Sequence, residues 1–166
     1  MTAEDKLSEL EDWYKKTLLL EGLSHRQSTE PIDKWMESAP QLRRINGLRQ
    51  VTGLVSGMEF KDKLILFDKQ SLEQLGRDNL RQSLVHCFSH WLKGGSEAHE
   101  DRWMELYLKL CHDHHLAVNV EELSNQNLRE DCSENTQRVL ESLVIPRVTI
   151  RKARRESPKL SRPATR

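Results

Sequence analysis

His86 and His90 are four residues apart, within the stretch Leu80 to Tyr107, and they carry the most specific chemistry in the sequence. On a helix, residues at that spacing stand one above the other. Both imidazoles can then reach a single tetrahedral zinc at about 2.0–2.1 Å per nitrogen. The same helical wheel gathers Leu80, Leu84, Val85, Phe88, Trp91 and Leu92 into one apolar stripe and leaves the two histidines on the opposite face. A third ligand must come from elsewhere. Gly94-Gly95 ends the first helix, Ser96 suits the cap of a second, and Glu97, Glu100 and Asp101 suit its first turn. On that second helix His99 falls in line with Trp103, Leu106 and Leu110, so it starts the inward-facing stripe and is the candidate third ligand. Histidine pairs at this spacing also arise by chance, and a pair alone is more often part of a surface or core than a metal site.

Taken together, His-x-x-x-His, a short glycine-containing turn, a third His and a helix with an early aromatic resemble the SprT-like (Spartan-type) zinc metallopeptidases. The similarity covers about residues 44–120, with Arg44 to Leu75 read as strand, strand and the approach to the metal helix. The resemblance implies an α+β, zincin-like fold: a small antiparallel sheet packed on helices, a metal helix at about 78–93, and Zn2+ held by His86, His90 and His99. One departure bears on activity. The family pattern is His-Glu-x-x-His, where the glutamate takes a proton from the metal-bound water and later gives it to the leaving amine. Here that position is Cys87. A thiol is shorter, has one polar atom, and titrates near 8.5 against about 4.3 for glutamate, so it replaces the base poorly. In the bland reading Cys87 is a small buried hydrophobe.

Three functions follow as expectations. The first is a zinc-binding, catalytically impaired relative of a metalloprotease that acts by binding DNA or chromatin. The second is an active metallopeptidase whose base is Glu97 or Glu100. The third is a metal-free helical interaction protein in which Trp91, Trp103 and the histidines fill a core. The paired-cysteine zinc ribbon that often follows the family's protease core has no counterpart, because the chain contains no Cys-x-x-Cys.

With 166 residues, 36% hydrophobic and 31% charged, the chain has enough sequence for one domain with a sizeable core, expected over 1–146. Its formal net charge of zero hides an asymmetry. Residues 147–166 hold Arg147, Arg151, Lys152, Arg154, Arg155, Lys159, Arg162 and Arg166 against Glu156, a charge of +7, so the other residues carry −7. Such a tail, expected to be disordered, suits the phosphates of DNA, or it is simply a solvated terminus. Three widely spaced cysteines make no disulfide framework, and the first residues lack a basic, apolar leader. An intracellular protein, nuclear or cytoplasmic, is expected, with no membrane role.

The elements that must position these residues are read from periodicity. Leu7, Leu10, Trp13, Tyr14 and Leu18 predict an amphipathic helix over 3–20, and a short helix is expected over 32–37. Strands are expected near 49–56 and 63–67, followed by a helix capped by Ser71. Cys111-His112-Asp113-His114-His115 reads as a helix C-terminus, Leu116 to Val120 as a short strand or an extended segment, and Asn135 to Ile145 as a helix ended by Pro146.

Overall fold

A computed structural model describes residues 1–25, 29–94 and 101–118. Helix α1 (Ala3–Trp13) begins with a capping box. Thr2 Oγ1 accepts from the Asp5 amide at 3.1 Å, and Asp5 Oδ2 accepts from the Thr2 amide at 2.9 Å. The helix continues through a π-helical turn (Tyr14–Leu18) into α2 (Leu19–Gly22). The spacing of its buried residues explains that turn. Ala3, Leu7, Leu10, Tyr14, Leu18 and Gly22 all face the interior. From Ala3 to Gly22 is 19 residues, one more than five turns of 3.6. A single i→i+5 turn absorbs the extra residue and keeps both ends on one face. The predicted helix over 3–20 is therefore present, with a wide turn inside it. Helix α3 (Ile32–Ser38), expected over 32–37, buries Trp35.

The sheet has three strands, β1 (Gln41–Ile45), β2 (Ser56–Glu59) and β3 (Leu64–Asp68), in the order β1-β3-β2. β3 pairs with β2 antiparallel and with β1 parallel, Gln41 opposite Leu64 and Ile45 opposite Asp68. The sheet is thus mixed, which corrects the expected antiparallel one. The strand expected at 49–56 is also corrected. Residues Leu48–Thr52 form the short helix α4, bounded by Gly47 and Gly53 at φ 77° and 76°, a left-handed conformation that favours glycine. The apolar residues Ile45, Leu48, Val51 and Leu54 recur every third position, a helical period rather than a strand's alternation. They do not build a core either, since Val51 is 87% exposed. The central strand β3 lies close to the predicted 63–67 and buries Ile65 and Phe67 completely.

Asp68 ends β3 and starts the next helix. Its carboxylate accepts from the Ser71 amide at 2.9 Å, the Ser71 hydroxyl at 3.0 Å and the Arg49 amide at 3.1 Å. The cap of α5 (Lys69–Gln74) is therefore Asp68, and Ser71, expected in that role, is its donor. Helix α6 (Arg77–Leu92) then crosses the middle of the molecule, and α7 (Asp101–Asp113) packs against it. Among the described residues no helix is long and apolar enough to cross a membrane.

Candidate metal centre

Helix α6, predicted at about 78–93, is buried on more than its apolar stripe. Leu84, Val85 and Phe88 are fully covered, as expected, but Cys87, Ser89 and His90 are covered too. One side meets the first helix and α3: Phe88 packs on Tyr14, with ring centroids 5.7 Å apart, and Trp91 packs on Trp35 at 5.1 Å. Another side meets the sheet, where Cys87 Sγ lies 3.4 Å from the hydroxyl of Ser56 on β2. Cys87 is 2% exposed and sits as a small buried side chain beside a strand.

The histidine face is covered by α7. Trp103 and Tyr107 are four residues apart on α7, as His86 and His90 are on α6, and the four rings interleave. His90 stacks on Trp103 with centroids 5.1 Å apart, His86 meets Trp103 edge-on at 4.8 Å, and Tyr107 stacks on Trp103 at 4.9 Å. The indole N–H of Trp103 donates to the backbone carbonyl of His86 at 3.2 Å, and the Gln82 side-chain amide donates to the Tyr107 hydroxyl at 2.6 Å. The sequence reading set Trp103 and the histidines in a core in one of its alternatives, but Tyr107 and the interleaving of the four rings were not read from it. The signal for them was the matched four-residue ring spacing on two neighbouring helices.

Within this wall the Nε2 atoms of His86 and His90 lie 3.2 Å apart. Two bonds of about 2.05 Å at a tetrahedral angle place their nitrogens about 3.3 Å apart, so the pair fits one edge of a zinc site. The same separation fits a hydrogen bond in which one ring donates and the other accepts. His99 lies outside the described residues, as do Ser96, Glu97 and Glu100. Among the described residues no group of three His, Cys, Asp or Glu side chains is arranged to hold a metal ion. Also outside them are the expected helix at 135–145 and the basic residues Arg147, Arg151, Lys152, Arg154, Arg155, Lys159 and Arg162.

The run from Cys111 to His115 is a helix end, as expected: α7 closes at Asp113 and His115 adopts φ 54°. Leu116 is buried and forms no strand. A groove of about 230 Å³ lies elsewhere, between α1 and the start of α6, and its lining of Lys6, Leu10, Arg77, Leu80 and Arg81 holds no histidine. No family model, curated protein or solved structure matches this chain.

Proposed function

We propose that the chain binds one zinc ion through His86 and His90, with His99 as the third ligand, and acts as a catalytically impaired relative of the SprT-like metallopeptidases. The observation that supports this reading is the 3.2 Å separation of the two Nε2 atoms, each presented by one turn of the same helix. Zinc would join α6 to the segment that leads into α7, and would supply Lewis acidity at that junction. What this chain's own residues do there is distinct. Trp103 and Tyr107 hold the imidazoles in place and restrict water around them, and Cys87, turned toward Ser56, offers no carboxylate to take a proton. Binding, rather than hydrolysis, is the chemistry that this arrangement favours.

Untagged protein purified from zinc-replete medium should contain about one zinc per chain by elemental analysis, and the metal should be lost when His86 and His90 are both changed to Ala. Metal-free wild-type protein would sink the proposal in favour of a second reading, a metal-free interaction protein. That alternative draws on the same 3.2 Å contact as a hydrogen bond between rings. Cys87→Glu separates the impaired relative from an active peptidase. A large gain of proteolysis in a folded variant supports impairment, whereas equal, measurable activity in both forms places the base elsewhere, at Glu97 or Glu100.

The proposed partner is DNA or a DNA-bound protein, reached by the +7 segment 147–166. That segment contains no aromatic residue to stack on bases, so its contribution would be electrostatic and largely independent of sequence.

A further inference from the structure

Among the described residues nothing pairs with the outer edge of β1. In the order β1-β3-β2 this strand has a neighbour on one side only, and it is the edge remote from β2, the strand that packs on α6. The register says which backbone groups the edge offers. Gln41 lies opposite Leu64, and its amide donates to the Lys63 carbonyl at 3.0 Å. Alternate residues of a strand turn their backbone groups to the same side. Gln41, Arg43 and Ile45 therefore face β3, and Leu42 and Arg44 point their N–H and C=O groups outward. An unpaired row of this kind is a template for a further strand.

The segment that carries this edge differs from the rest of the body in charge and in surface. No Asp or Glu occurs between Glu37 and Glu59, the longest such run in the chain, and Arg43, Arg44 and Arg49 fall inside it. Residues 1–146 as a whole carry −7. Six large apolar side chains are exposed among the described residues, and three of them, Ile45, Val51 and Leu54, lie within ten positions here. Their support is hydrogen-bonded. The Arg49 amide donates to Asp68 Oδ1 at 3.1 Å, the Asp68 amide donates to the Val55 carbonyl at 2.9 Å, and the Thr52 hydroxyl donates to the Leu48 carbonyl at 2.7 Å.

We propose that the outer edge of β1, with α4 beside it, takes up an extended acidic peptide of a partner protein as a fourth strand. Main-chain hydrogen bonds to Leu42 and Arg44 hold the peptide, Arg43 and Arg49 attract its carboxylates, and Ile45, Val51 and Leu54 cover apolar residues between them. A second copy of this chain is a poorer occupant. Pairing two β1 edges sets arginines against arginines, and like charges across a strand pair are destabilising. Nucleic acid is poorer as well, because residues 38–58 contain no aromatic ring to stack on a base and phosphates make no use of three aliphatic side chains.

The probe is a short peptide alternating glutamate and valine, blocked at both ends, titrated into the full chain and followed by NMR. Shift changes should run along residues 41–54, and the Leu42 and Arg44 amides should exchange more slowly in the complex. A peptide alternating lysine and valine should leave both readings unchanged. Residues 147–166 also attract acid, so only the response of 41–54 counts. Arg44→Pro removes the outward N–H and spares the ladder to β3, a substitution that edge strands accept, and should weaken binding about tenfold. Arg44→Ala loses the side chain and its 2.6 Å ion pair with Glu4 but keeps the amide, so it should weaken binding far less. Shift changes confined to 147–166, equal weakening by the two variants, or the same response of 41–54 to the lysine peptide or to a short DNA duplex would overturn the proposal. Unslowed exchange at Leu42 and Arg44 in the wild type does so too, whether or not Arg44→Pro folds.

Discussion

Asp68 shows how much of the fold one side chain can organise. Its carboxylate is 2% exposed and accepts three hydrogen bonds that start both α4 and α5. Burial works to raise it, but the donors from Ser71 and Arg49 outweigh burial and leave the carboxyl below its ordinary value. A lowered carboxyl contributes stability above its unfolded value and loses it as pH falls through the folded one. Asp68→Asn should therefore cost about 1–3 kcal/mol at neutral pH, with the gap closing in acid, as urea titrations at several pH values would read. A second residue matters through what it lacks. A Cβ at Gly22 would lie 2.6 Å from Phe88 Cζ and 3.2 Å from Trp35 Cη2. Phe88 is fully buried and stacked on Trp91, so the ring has nowhere to go. Gly22→Ala should destabilise by about 1–2 kcal/mol even though alanine is the better helix former, whereas Gly57→Ala, which meets open space, should be tolerated.

The first helix carries one residue more than its buried face needs, and the π turn absorbs it. Deleting Lys16, an exposed residue of that turn, should convert it to an ordinary α turn and leave Leu18, Leu19 and Gly22 in place. The melting temperature should then change by only a few degrees or about 1 kcal/mol. Inserting an alanine after Lys16 has the opposite consequence. It adds about another 100° of rotation and carries those buried residues off the core, at a cost of several kcal/mol. Thermal unfolding of the two variants side by side checks this account. If both are equally harmful, the turn is not a register correction. Helix α6 makes a related point. Its apolar stripe is real, but it lies between the first helix, the sheet and α7, so its polar residues are covered as well.

For the whole molecule, the charge of +7 on residues 147–166 is balanced by −7 on the remaining residues, and this division predicts how DNA binding would depend on salt. Up to eight basic groups give a log–log slope of at most about −7 for duplex DNA. A chain ending at Pro146 should keep the melting temperature of the full-length protein and lose most of that affinity and slope. The same affinity and slope in both forms would remove the tail from the function, because an acidic body has little reason to approach phosphates.

Periodicity was enough to place the first helix, the central strand and α6, while turn residues and the histidine run marked the short helix expected over 32–37 and the end of α7. The general α+β class followed from them. A four-residue spacing on one helix likewise carried the His86–His90 pair, because helical geometry alone sets two such rings side by side. Other features are absent from local pattern. β1 reads Gln41-Leu42-Arg43-Arg44-Ile45 and β2 reads Ser56-Gly57-Met58-Glu59, edge strands without apolar alternation, and their pairing with β3 is made by backbone groups that the side chains do not announce. The aromatic wall over the histidines and the Glu21–His114 contact join residues distant in sequence. Only the docking of α7 on α6 and on the first helix brings these partners together, and burial there decides which charges and rings meet.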